Sequence, residues 1–208
     1  MSAEVPGPVK LTFAELAVEA REAVERVTIP DAEPGPGLSA DAGSQPQRQS
    51  GASALLPLDF KQLPPDEQAM RATRACQELE ERQAALTDPD WTSATSSRRR
   101  IHTTWATLLA NLHAGLVEIV PLGWSSTDQY TNVLAMLDGL YAATGIPAVR
   151  AVGDALRQLA ATVEYPAVEL SEQDAEEFAR TAQQLAGKLI SIMRRFRKLL
   201  SWAPYEVR

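Results

Sequence analysis

The sequence holds a single cysteine, Cys76, only two histidines, and aromatic residues amounting to 6% of the chain. One cysteine cannot close an intramolecular disulfide, so a stapled, exported scaffold is not expected, and Cys76 reads as a small buried apolar residue. A reactive thiol would need a base or cation held beside it, and the local sequence offers no sign of one. Nowhere do about 18 uncharged apolar residues run together, so no membrane-spanning helix is expected. Residues 1–8 lack a basic stretch leading into an apolar one, so no secretory signal is expected, and cytoplasmic residence follows as the expectation.

The chemistry-bearing motifs are missing as well. His102 and His113 fall on one helix about 16 Å apart along its axis, too far to share a metal. No Glu-x-x-His pair of the di-iron kind accompanies them. Gly187 and Lys188 are followed by Leu189 inside a helical pattern, which is not a phosphate-binding loop. No Gly-x-Ser-x-Gly elbow exists, and the carboxylates Glu118, Asp138, Asp154 and Glu164 are scattered singly. The chain is therefore expected to be non-enzymatic, with no cofactor and no metal.

What is present favours helix. The chain has 208 residues, 45% hydrophobic and 23% charged, enough for one ordinary domain with tails. Ala, Leu, Glu, Gln and Arg abound, the residues that lose least rotamer freedom in a helix. The formal net charge of −7 argues against a general nucleic-acid binder, whose affinity comes from cations neutralising phosphates.

Residues 12–28 predict an opening helix. Thr12 and Glu15 form a capping-box pattern, with Leu11 and Leu16 at the staple positions. Phe13, Leu16, Ala17, Ala20, Val24 and Val27 recur at helical spacing as one apolar stripe. Residues 30–53 are Pro, Gly, Ser, Gln and Ala with almost no large apolar side chain, the composition of a disordered linker. It ends in an apolar cluster, Leu55, Leu56, Leu58 and Phe60, which docks either on the chain's own bundle or on another protein. Residues 66–86 predict a surface helix with a weak stripe through Met70, Cys76, Leu79 and Leu86.

Four better-patterned segments follow. The first carries Ile101, Trp105, Leu108, Leu112, Leu116 and Ile119. The second follows a capping-box pattern at Ser126 and Gln129, the third starts at Pro147, and the fourth starts at Ser171 and Asp174 and runs to about Trp202. In this last segment Phe178, Ala182, Leu185, Leu189, Ile192, Phe196 and Leu199 alternate four- and three-residue steps, the seam of a coiled coil or tight bundle. Lys188, Arg194, Arg195, Arg197 and Lys198 fall away from that seam. The expected fold is all-α: an antiparallel bundle of four to five helices over residues 66–203, a linker over 30–65, and a separate amphipathic helix within 1–29.

The function expected from this layout is protein–protein interaction or regulation. The opening helix is the docking arm, with Phe13, Leu16, Ala20, Val24 and Val27 as its binding stripe and the cluster Leu55, Leu56, Leu58 and Phe60 as a second contact. The alternative is a nucleic-acid accessory protein gripping phosphates through Arg98, Arg99, Arg100, Arg194, Arg195, Arg197 and Lys198, with Trp202 or Tyr205 stacking. A third is a small-molecule enzyme or ligand pocket between bundle helices, with Trp105, Trp124, Tyr130 and Tyr141 lining the cavity. A membrane partner is disfavoured, because the strict seam serves better inside a bundle. A homo-oligomer paired through the 178–199 seam stays open.

Overall fold

The computed structural model describes residues 12–29, 60–86, 96–120, 128–165 and 170–201, and among them every regular element is helical. The six α-helices are α1 (Phe13–Glu25), α2 (Pro65–Gln83), α3 (Ser97–Leu116), α4 (Gln129–Thr144), α5 (Pro147–Glu164) and α6 (Glu172–Ser201), with 3₁₀ turns at Phe60–Gln62 and Ala84–Leu86.

Their starts follow from capping chemistry. At α1 the Thr12 N–H donates to Glu15 Oε2 at 2.6 Å and the Glu15 N–H donates to Thr12 Oγ1 at 3.3 Å, two orphan donors satisfied reciprocally. Ser171 and Asp174 make the same exchange ahead of α6, at 2.8 and 3.1 Å. Pro65 and Pro147 occupy first-turn positions, where a missing N–H costs nothing. The cap of α4 is Asp128, whose carboxylate accepts from the Tyr130 and Thr131 amides. The cap expected at Ser126 lies outside the described residues. α4 stops at Gly145, whose left-handed φ of 67° turns the chain into α5.

The longest helix, α6, has α1, α2, α3 and α5 packed around it. Gln183 reaches Leu86 while Arg194 reaches Glu80, so α2 runs antiparallel to α6. α2 is also antiparallel to α3, since Asn111 meets Arg82 and Gly115 meets Leu79. α4 and α5 form an antiparallel hairpin across Gly145. By contrast α3 and α4 run the same way, with Trp105 against Tyr130 and Val120 against Gly139. The core is filled by Leu108, Leu112, Leu116, Met136, Leu140, Leu156, Leu159, Leu185, Leu189, Ile192 and Met193, all under 2% exposed.

The opening helix is not a separate arm. Phe13, Ala20, Val24 and Val27 are buried in the same apolar core as the rest, and Ala17 packs against it, while Leu16 is half-buried. α1 packs against α5 and α6, and the Phe13 ring lies 6.3 Å from that of Tyr165. An isolated helix of this length is marginal in water, and burying its stripe in cis supplies the missing stabilisation. The stripe expected to bind a partner is therefore spent inside the molecule, and the bundle includes α1.

Three further expectations change. Phe60 is buried with its ring 5.6 Å from Phe196, so the ordered domain starts ahead of residue 66. Leu55, Leu56 and Leu58, like most of the expected linker, lie outside the described residues. α2 is no surface helix: Ala72, Ala75, Cys76 and Leu79 are buried, and the small side chains that made its stripe look weak let it approach α3 and α6 closely. The α6 seam is also occupied. Phe178, Ala182, Leu185, Leu189, Ile192 and Phe196 are buried against the chain's own helices, leaving only Leu199 of the seven substantially exposed, at 39%. Pairing with a second copy through this seam would require opening the core.

Candidate interaction surface

The two arginine clusters sit at opposite ends of the bundle. Arg100 is buried and its Nη1 lies 2.8 Å from Glu172 at the start of α6, while Arg98 and Arg99 are exposed nearby on α3. From Glu172 to Arg194 is about 33 Å of helix. The seven residues therefore form two separate groups, one at each end of the bundle.

Within the second cluster, Arg194 is committed to α2. Its Nε lies 2.7 Å from Glu80 Oε1, and the Cys76 thiol donates to the same oxygen at 3.1 Å. The guanidinium bond, and then the thiol bond, hold the Glu80 carboxyl below the ordinary carboxylate range. Burial first, and the neighbouring carboxylate second, push the Cys76 thiol up to about 11. That thiol is held protonated and shielded, the reverse of what nucleophilic chemistry needs.

Lys188, read from sequence as part of a solvent-facing basic side, has a structural task. Its Nζ donates to the Val27 carbonyl at 2.9 Å. Asn111 does the same for Arg82 O at 2.8 Å, and Gln183 for Leu86 O at 2.7 Å. Each donates to a carbonyl near the end of a helical segment, where intrahelical donors run out.

Above the Lys188 tie, α1 stops and α6 continues. An open groove of about 530 Å³ lies at this junction, lined by Val24, Glu25, Ile29, Gln184, Gly187, Lys188 and Ser191. At ~100° per residue, Gln184, Lys188, Ser191, Arg195 and Lys198 share one face of α6, so the groove leads toward the last turns of that helix. There Lys198 and Leu199 are exposed and Arg195 is half-buried. The strip thus carries Lys188, tied to Val27, together with Arg195 and Lys198, with half-buried Ile29 beside it and Leu199 at its far end. A four-three recurrence of polar residues flanking the seam was present in the sequence, but it reads as an ordinary solvated face until α1 is known to end beside it.

The other candidates do not converge. Among the described residues no group of three or more His, Cys, Asp or Glu side chains is placed to hold a metal ion. Trp105 packs on Tyr130 at 5.6 Å and Arg150 covers Tyr141 at 4.6 Å, so these rings are engaged with neighbours; Trp124 lies outside the described residues. Asp154 is ion-paired with Arg157 at 2.6 Å. No described helix is long and apolar enough to cross a membrane. Comparison with known proteins found no family model, no curated protein and no solved structure that matches this chain.

Proposed function

We propose that this chain is a non-catalytic interaction protein whose docking surface is the outward strip of α6, from the groove beside α1 to the last turns of the helix. One observation carries the reading: Leu199, the last member of an otherwise buried seam, is 39% exposed and stands beside Arg195 and Lys198. An apolar residue among polar groups fits the make-up of a small docking surface. The groove lined by Ile29, Gln184, Lys188 and Ser191 opens on the adjoining face of the helix, about two turns before Leu199. A rigid helix backed by a packed core also presents its side chains with little loss of conformational freedom on binding. The buried, unpaired cysteine supports a reducing compartment such as the cytoplasm as the place of action.

The test compares the full chain with its Leu199→Glu variant, each tagged and used for capture from native lysate with and without nuclease. The reading expects a nuclease-resistant protein to be retained by the parent and lost by the variant, with both melting at the same temperature. Retention of identical proteins by the two would overturn it. Loss of all retained material on nuclease treatment would favour the nucleic-acid alternative instead.

A further inference from the structure

We draw no further inference here: the strongest candidate, the surface patch around Leu199 on the last turns of α6, belongs to the docking surface already described, and nothing in the structure shows what covers it.

Discussion

The Lys188 ammonium donates to the Val27 carbonyl oxygen across 2.9 Å, and that single bond fastens the end of α1 to the middle of α6. A cation placed at a helix C-terminus also meets the negative end of the helix dipole, so hydrogen bond and electrostatics act together. Replacing Lys188 by Met keeps most of the aliphatic stem and removes the donor. The expected cost is about 1–3 kcal/mol, the range for leaving a partly buried carbonyl bonded to a charged group without its donor. Urea denaturation of the full chain measures it; an unchanged midpoint would mean that water replaces the ammonium without loss.

Because α1 belongs to the core, its apolar residues should behave as core residues. Phe13 is 7% exposed and packs on Tyr165. Phe13→Ala is expected to destabilise the whole bundle by about 3 kcal/mol through lost transfer energy and a residual cavity. A single cooperative transition at a lower midpoint is the expected outcome. A two-step melt in which only the α1 signal shifts would show that this helix unfolds independently of the rest.

How much of this arrangement could be read from the sequence depends on how far the determining interaction reaches. The capping pairs Thr12 with Glu15 and Ser171 with Asp174 are local, and both were legible three residues apart. The seam from Phe178 to Phe196 was legible too, because strict periodicity reports burial whatever covers it. What covers it was not legible. The stripe of α1 has the same form whether its partner is another protein or α5 of the same chain, and the long stretch from residue 30 to 59 gave no sign of the return. α2 was misjudged for a different reason: alanines at 72 and 75 score as weak apolar signals, yet both are buried where α2 packs on α3 and α6. The docking strip is a product of where α1 ends relative to α6, and no local pattern encodes that.

Glycines in helices normally cost stability, and two of them here should respond in opposite directions. At Gly115 an added Cβ would overlap the side chain of Leu79, itself 2% exposed and with no room to withdraw. Gly115→Ala is expected to be destabilising by about 1–3 kcal/mol, because overpacking outweighs the better helix propensity. At Gly153 the nearest atom to a new Cβ is Arg157 Nη1 at 3.8 Å, an ordinary contact with the end of a flexible side chain. Gly153→Ala is expected to stabilise by up to about 1 kcal/mol through reduced backbone entropy of the unfolded chain. Thermal melts of the two variants check the pair: stabilisation by Gly115→Ala would show that the α2 to α3 approach is looser than the Leu79 contact implies, and destabilisation by Gly153→Ala would show that its site has no room for a methyl group.

The lock formed by Cys76, Glu80 and Arg194 predicts a dependence on pH at both extremes. The Glu80 carboxyl is depressed in the folded state, so its contribution is present above the ordinary carboxylate pKa and disappears as pH falls through the folded value. Removing the guanidinium by Arg194→Gln should therefore narrow the difference in stability between neutral and acidic solution. The thiol behaves oppositely. Its pKa is raised to about 11, so the neutral form favours folding fully at pH values below the unfolded thiol's pKa, and that contribution is lost as pH climbs toward the folded value. Between these limits the thiolate population is small and the sulfur is shielded, so a thiol-reactive chromogen at mildly alkaline pH should modify Cys76 far more slowly than it modifies the urea-unfolded chain. Glu80→Gln removes a carboxylate that raises the thiol pKa but leaves the burial that raises it most. The expected result is a modest acceleration, still well short of the unfolded rate. Full, immediate modification of the folded parent protein would show that α2 does not stay closed against α6 at this level, and with it the packing of Arg194 on Glu80 would have to be abandoned.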